Sequence, residues 1–145
     1  MAFPYTRILC PVDFDDCSLE GLGKAIEVAR YFKASIVLMH VVSLTLQFRE
    51  VPIIPPEIHE KRIEVKAKLN DIARSQLADI EHEAVVYVGD VAGCITEAVA
   101  EYAPDLVVMA THGRGGLAHF VLGSVAEVIV RKAGCPVLTI RGEHP

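Results

Sequence analysis

Residues 107–125 read VVMATHGRGGLAHFVLGSV, and this run predicts a strand, a glycine-rich loop and the start of a helix. Leu106 to Met109 forms a continuous apolar stretch directly after Pro104-Asp105. Such a stretch suits a strand that is covered on both faces, as strands are in a parallel sheet. The pattern therefore indicates an α/β protein whose other elements alternate around this strand.

The loop after this strand is rich in glycine, at positions 113, 115 and 116. Glycine lets the backbone turn sharply and approach a ligand closely. Gly123 then precedes Ser124, and Ser124 with Glu127 three residues later is a capping-box pattern, which predicts a helix that begins at Ser124. Because the N–H groups and dipole of a helix start favour an anion, the loop is a candidate cradle for a polyphosphate. The alternative is an ordinary strand–helix connection with Ser124 as its cap.

The better-known glycine motifs are absent from this loop. No Gly-Lys-Ser/Thr follows, so it is not a Walker loop, and the G-x-G-x-x-G spacing of dinucleotide-binding proteins is missing. No G-x-S-x-G is present, which excludes a nucleophile elbow.

Length and composition predict one globular domain, residues 1–145, with 52% hydrophobic residues and a sizeable core. No apolar run reaches the roughly 18 residues that span a bilayer, and the N-terminus lacks the layout of a signal peptide. We therefore expect a cytoplasmic protein that does not enter a membrane. The net charge of −5 argues against a nucleic-acid surface, which would be basic.

The four cysteines are scattered without C-x-x-C spacing, which disfavours zinc and redox motifs and favours free buried thiols. Cys17 lies near a predicted helix start, a position that can lower a thiol pKa, and an inert thiol is the alternative. A redox or metal sensor built on Cys17 is the most distant of the functional hypotheses. The cysteines are Cys10, Cys17, Cys94 and Cys135.

Along the chain, apolar runs alternate with segments of helical periodicity. The predicted strands are residues 7–13, 34–42, 83–88, 106–109 and 136–140. Four helices are predicted between the strands. The first follows the capping candidates Asp13 to Asp16, and the second runs from Pro56 to about Asp79. The third follows Asp90, and the fourth begins at Ser124 and ends before a C′ residue at Gly134. Residues 43–56 are irregular and are either a lid or interface segment or a loop folded back on the core.

Five strands alternating with helices predict a doubly wound parallel sheet with helices on both faces. Ligands of such sheets bind outside the carboxyl ends of the strands, where the strand order reverses. Asp13 ends the first strand and Ala110-Thr111 ends the fourth. If these strands are neighbours, Asp13 and the glycine loop line one crevice, which favours a nucleotide as the ligand.

Over essentially its whole length the chain resembles the single-domain universal stress proteins. The signature of their nucleotide-binding branch is G-2x-G-9x-G-S/T after the fourth strand. Here Ala110 replaces the first glycine, while Gly113, nine further residues and then Gly123-Ser124 match the rest. The methyl group of Ala110 would intrude where the family brings its backbone close to the nucleotide.

The resemblance implies an adenine-nucleotide alpha-hydrolase-like fold with strand order 3-2-1-4-5. It implies dimerisation through the fifth strand, Val137–Ile140, which as an apolar edge also needs cover on physical grounds. It implies that ATP, AMP or ADP is bound, with Mg²⁺ as an optional companion. The resemblance also implies which residues contact each part of the nucleotide. The nucleoside meets Pro11, Val12 and Asp13, and adenine meets the main chain at His40-Val41. The phosphates meet Gly113, Gly123, Ser124 and Val125, and Ala110 lies beside them.

Individual roles remain open at several of these positions. Asp13 can accept hydrogen bonds from ribose hydroxyls, or it can cap the first helix. Arg114 either pairs with a phosphate or points into water. His112 either bonds a phosphate or braces the loop.

The leading hypothesis is an ATP-binding stress-response regulator that acts as a dimeric, nucleotide-dependent switch. The alternatives are a weak ATPase and a dimeric interaction module without nucleotide, which Ala110 leaves open although Gly113, Gly123 and Ser124 speak against it. Phosphoryl transfer needs a bound metal and an oriented nucleophile, and the sequence offers only Asp13 and Arg114 as candidates. We therefore expect at most slow ATP hydrolysis and assign no catalytic residue.

Overall fold

A computed structural model describes residues 4–44, 55–111 and 123–141. The described elements alternate strictly between strand and helix. The strands are β1 (Arg7–Pro11), β2 (Ser35–Ser43), β3 (His82–Gly89), β4 (Leu106–Ala110) and β5 (Val137–Ile140). The helices are α1 (Asp16–Phe32), α2 (Pro56–Gln76), α3 (Val91–Tyr102) and α4 (Ser124–Lys132).

The strands form one parallel sheet in the order β3-β2-β1-β4-β5. This confirms the predicted doubly wound fold and its strand order. β1 pairs with both β2 and β4, so the order reverses between β1 and β4. The carboxyl ends of these two strands therefore flank the crevice that the sequence predicted.

Two buried apolar layers hold helices on both faces of the sheet. Alternate side chains of each strand enter opposite layers: Ile8 and Cys10 pack with α1 and α2, whereas Leu9 packs with α3 and α4. The second layer includes Ile95 and Ile129, both nearly inaccessible to solvent. Burial on both faces explains why the strand sequences read as continuous apolar runs.

Most helix ends follow the predicted capping chemistry. Asp15 caps α1 by accepting a hydrogen bond from the Ser18 N–H (2.7 Å), and Asp90 caps α3 through the Gly93 N–H (2.8 Å). Gly134, with φ +70°, follows the C-cap of α4 in the left-handed conformation expected of a C′ glycine.

The capping box predicted at Ser124 is wrong, although α4 does begin there. Gly123 occupies the N-cap position, and no side chain within the described ranges bonds the first turn as a cap. Ser124 is itself helical, so its hydroxyl is one residue too far along to act as the N-cap acceptor. Glu127 instead pairs with Arg131 on the helix surface (2.8 Å).

Several predicted boundaries shift. β1 ends at Pro11 rather than Asp13, α2 ends at Gln76 rather than near Asp79, and β3 extends from His82 to Gly89. A tight turn explains the end of α2, since the Ile80 N–H donates back to the Leu77 carbonyl (3.0 Å). The irregular segment 43–56 lies largely outside the described residues.

The opposite end of the sheet is tied together by Asp105, just before β4. Its carboxylate accepts bonds from the Thr6 N–H and hydroxyl and from the Arg7 N–H. Burial alone would raise the pKa of Asp105, but these hydrogen bonds hold it below its usual value. Asp105 thus fixes the start of β1 against the start of β4.

None of the helices in the described ranges is both long and apolar enough to cross a membrane. None of the four cysteines, all of which lie in the described ranges, forms a disulfide, and Cys10, Cys17 and Cys94 are buried. Burial raises the pKa of the Cys10 thiol to about 12, so this group stays protonated.

Candidate functional site

A crevice of about 320 Å³ opens at the carboxyl ends of the strands, where the strand order reverses. Its volume lies within the range of about 300–1,000 Å³ that is usual for small-molecule pockets. Its described lining combines main chain, apolar side chains and a few polar groups. The lining residues are Pro11, Val12, Asp13, Asp15, Ser18, His40, Val41, Val91, Ile95, Met109, Ala110, Thr111, Gly123, Ser124 and Val125.

Most residues that the sequence singled out meet in this crevice. The predicted set that lines it is Pro11, Val12, Asp13, Val41, Ala110, Gly123, Ser124 and Val125. His112, Gly113 and Arg114 lie outside the described residues. The fold therefore brings together positions that are more than one hundred residues apart in the chain.

Asp13 is exposed at the mouth of the crevice and is held in a turn between β1 and α1. Its N–H donates to the Ser18 hydroxyl (3.1 Å), and its Oδ1 accepts from the Asp15 N–H (3.2 Å). The helix-capping role left open for Asp13 belongs to Asp15 instead. This turn holds the other carboxylate oxygen of Asp13, Oδ2, which is a candidate acceptor for a hydrogen bond from a ligand.

Asp15 and Ser18 are crevice residues that the sequence reasoning missed as ligand neighbours. Burial and the neighbouring Asp13 carboxylate raise the pKa of Asp15, against the lowering effect of the hydrogen bonds from Ser18. Their sequence spacing could have predicted this turn, since an N-cap residue such as Asp15 accepts a hydrogen bond from the N–H three positions later, which is that of Ser18.

The N-terminus of α4 forms the opposite wall. The Gly123 N–H donates to the Thr111 carbonyl (3.1 Å), and this bond anchors the helix start to the end of β4. Ser124 and Val125 belong to the first helical turn, which no side chain caps among the described residues. An uncapped helix start presents N–H donors and the positive end of the helix dipole, which favour an anion.

Ala110 occupies the floor between these walls, at the end of β4. It pairs with Ile140 of β5, and the Thr111 N–H that follows donates to the Ile140 carbonyl (3.0 Å). Gly21 of α1 packs against this backbone from behind: a Cβ there would lie 3.4 Å from the Ala110 nitrogen. The floor of the crevice therefore has α1 packed closely against its other side.

His40, at the carboxyl end of β2, is half-buried in the crevice wall. Its Nδ1 lies 2.7 Å from the Val12 carbonyl oxygen, and its ring stacks on Phe14 with centroids 4.7 Å apart. Burial is the main cause that lowers the pKa of His40, so the ring is neutral at pH 7. The sequence reasoning assigned only the main chain at this position, because the His40–Val12 contact is a tertiary one.

Across the three described ranges, no group of three or more His, Cys, Asp or Glu side chains is arranged to hold a metal ion. Among the described lining residues, the carboxylates are those of Asp13 and Asp15. The described crevice thus offers hydrogen-bond acceptors at one wall and backbone donors at the other.

The model of the Universal stress protein family matches residues 4–141. A universal stress protein of Methanocaldococcus jannaschii is 33% identical over 143 residues, which cover 94% of this chain and 82% of the relative. These matches confirm the family that the loop signature suggested.

Solved structures share the fold. A universal stress protein in complex with cAMP superposes with a TM-score of 0.71 at 20% identity, covering 94% of this chain and 97% of that one. A family member from Arabidopsis thaliana with AMP bound superposes with a TM-score of 0.63 at 20% identity, covering 95% and 92%.

Proposed function

The chain belongs to the universal stress protein family, and from this premise we propose that it binds an adenine nucleotide in the crevice between β1 and β4. One observation carries the proposal. The crevice sets a carboxylate, Asp13, opposite the helix start at Ser124, which none of the described side chains caps. A nucleotide has ribose hydroxyls that suit the first and phosphates that suit the second.

The sugar and base occupy the wall formed by β1 and β2. The Asp13 carboxylate accepts hydrogen bonds from the ribose hydroxyls, next to Pro11 and Val12. Adenine lies against the main chain at Val41, with the apolar side chains of Val91 and Ile95 facing the same space. A flat base suits such a largely apolar wall.

The phosphates occupy the wall formed by α4. The N–H groups of Ser124 and Val125 donate to phosphate oxygens, and Gly123 leaves room for their approach. His112, Gly113 and Arg114 complete this wall in the proposal, with Arg114 as a charge partner for phosphate. ATP is the proposed ligand, and AMP or ADP are alternatives with fewer phosphates. Mg²⁺ would be bound by the phosphates of the nucleotide.

Related structures support the choice of an adenine nucleotide, since family members have been solved with AMP and with cAMP. We extend this to a regulatory role, in which nucleotide occupancy changes the state of a homodimer. β5 is one of the two edges of the described sheet, and Leu138 on it is 39% exposed. An apolar edge strand of this kind is suited to pairing with the same strand of a second copy.

Gly123→Val tests the phosphate wall. Gly123 has φ −60° and ψ 155°, which valine adopts without strain, so the variant should fold with a loss of about 1 kcal/mol in helix capping. The added side chain fills the space through which phosphate approaches, and we expect ATP affinity to fall at least about a hundredfold. Equilibrium dialysis with labelled ATP measures the affinity, and urea unfolding measures the stability.

Gly123→Ala is the matched control, since its single methyl group gives an intermediate loss. Unchanged ATP affinity in a folded Gly123→Val protein would remove the helix start from the site. An equal loss of ATP affinity in both variants would indicate that the position of the backbone at residue 123, rather than the size of the added side chain, determines binding there.

A further inference from the structure

We propose that His40 is a positioning residue that sets the direction of the Asp13 carboxylate by holding the residues on both sides of it. The inference rests on the proposed nucleotide site and goes beyond it, because it assigns a side-chain function to a position otherwise described only by its main chain. It follows from the contacts of His40 with Val12 and Phe14, the two chain neighbours of Asp13.

The contact with Val12 fixes the first side. Beyond the end of β1, the Val12 N–H still donates to the Met39 carbonyl (2.8 Å), and the Val12 carbonyl accepts from Nδ1 of His40 (2.7 Å). A carbonyl can only accept, so Nδ1 carries the proton and the neutral ring leaves Nε2 as an acceptor. The carbonyl held in this way belongs to the peptide that joins Val12 to Asp13.

The contact with Phe14 fixes the second side. Phe14 has φ +70°, a conformation that a bulky aromatic residue rarely adopts and that its surroundings must maintain. Its ring stacks on His40 at an interplanar angle of 30°, and the ammonium group of Lys68 lies 4.8 Å from its centroid. The stack accounts for how this turn is maintained.

Asp13 therefore sits between two residues that the same imidazole holds. Its own bonds, from its N–H to the Ser18 hydroxyl and from the Asp15 N–H to its Oδ1, complete a turn with little freedom. A carboxylate fixed before the ligand arrives loses less conformational entropy on binding than a mobile one. The benefit to affinity thus passes through Asp13 and needs no contact between His40 and the nucleotide.

Three substitutions separate the two contacts. His40→Asn keeps an N–H donor near the position of Nδ1 but loses the ring, His40→Phe keeps a stacking ring but loses the donor, and His40→Ala loses both. We expect ATP affinity to fall about tenfold in His40→Phe, which is the scale of one lost hydrogen bond, and more in His40→Ala. His40→Asn should lie between wild type and His40→Ala, because it keeps the hydrogen bond to Val12 but loses the stack on Phe14.

The decisive test combines His40→Phe with Asp13→Ala. If His40 acts through Asp13, His40→Phe weakens ATP binding in the wild-type background but changes it by less than about twofold when Asp13 is already alanine. Additive losses would show that His40 acts on the ligand or on the fold in general, and would overturn the positioning role.

A measurement without nucleotide keeps this inference separate from the proposed function. In ligand-free protein, ¹⁵N NMR of the His40 ring should show a protonated Nδ1 and an unprotonated Nε2 at pH 7.5. The amide proton of Asp15, which reports on Oδ1 of Asp13, should shift in His40→Phe and shift further in His40→Ala, where both contacts are lost. An unmoved Asp15 amide in His40→Phe overturns the inference, whereas wild-type protein that passes this test but binds no ATP contradicts only the proposed function.

Discussion

Ala110 is the residue at which this chain departs from the family signature, and it lines the floor of the crevice. Its methyl group occupies space where the signature glycine would let the nucleotide come closer to the backbone. We predict that Ala110→Gly binds ATP a few times more tightly, at a cost of about 0.5–1 kcal/mol in folding stability. Calorimetric titration of both proteins with ATP measures the difference in affinity. Weaker binding by the variant would contradict the prediction and show that the methyl group supports the ligand.

His40 makes stability depend on pH. Burial lowers its pKa, as do Lys61 and Lys68, while the Val12 carbonyl and Asp13 oppose this, so the folded state protonates at lower pH than the unfolded chain. The unfolded chain therefore binds more protons as the pH falls below the ordinary value of 6.5. We predict that wild-type stability declines over that range by up to about 1.4 kcal/mol per pH unit relative to His40→Asn.

Urea unfolding of both proteins at intervals between pH 7.5 and pH 5 measures this difference. The contributions of the carboxylates and the other histidines to the pH dependence of stability cancel in this comparison, because both proteins contain these groups. Parallel stability curves would contradict the buried, neutral state of His40.

Sequence reasoning reached part of the residue scale and missed the rest. Asp13 and the glycine loop were predicted to line one crevice because Asp13 and Ala110-Thr111 each end a strand, and such ends share one edge of a parallel sheet. The bond from His40 to Val12 joins residues that are 28 positions apart and depends on the register of β1 against β2. No local pattern encodes that contact, nor the left-handed Phe14 that depends on it.

Helix α1 shows how an element sets the shape of the crevice. A Cβ at Gly21 would lie 3.4 Å from the Ala110 nitrogen, whereas a Cβ at Gly23 would meet nothing within 4 Å. We predict that Gly21→Leu destabilises the protein by about 1–3 kcal/mol, because the side chain forces α1 away from β4. Gly23→Leu, on the same helix, should stabilise it by about 0.5–1 kcal/mol through higher helix propensity.

Urea unfolding of this matched pair, with ATP affinity as a second readout, tests the packing of α1 on β4. The Gly21→Leu protein should also lose ATP affinity, since the added side chain presses on the Ala110 backbone that lines the crevice. Similar effects of the two substitutions would contradict the close approach at Gly21.

At the scale of elements, alternating apolar runs and helical periodicity predicted each described strand and helix. The error at Ser124 was one of position: the serine and glutamate have capping-box spacing, but Gly123 takes the cap position. Glycine is accepted at an N-cap and leaves the first turn without a side-chain bond. That difference leaves the helix start available to an anion, as the proposed function requires.

The whole molecule has an apolar edge at β5, and its assembly is open to direct test. We predict that Leu138→Lys converts the proposed homodimer to monomers, because it places a charge on the exposed edge of each copy. Ile63→Lys is the matched control: Ile63 is 72% exposed on α2, which packs against β2 and β3 at the other side of the sheet. Sedimentation velocity distinguishes the species, and a Leu138→Lys protein that sediments like wild type would move the interface elsewhere.

Binding of an adenine nucleotide in the crevice is the central claim, and calorimetric titration tests it most directly. The protein is first unfolded and refolded to remove bound nucleotide, and ATP with Mg²⁺ is then added. We predict one saturable site per chain with a dissociation constant in the micromolar range, equivalent to roughly −8 kcal/mol. No heat of binding up to millimolar ATP, from protein whose fold is intact by circular dichroism, would contradict the claim.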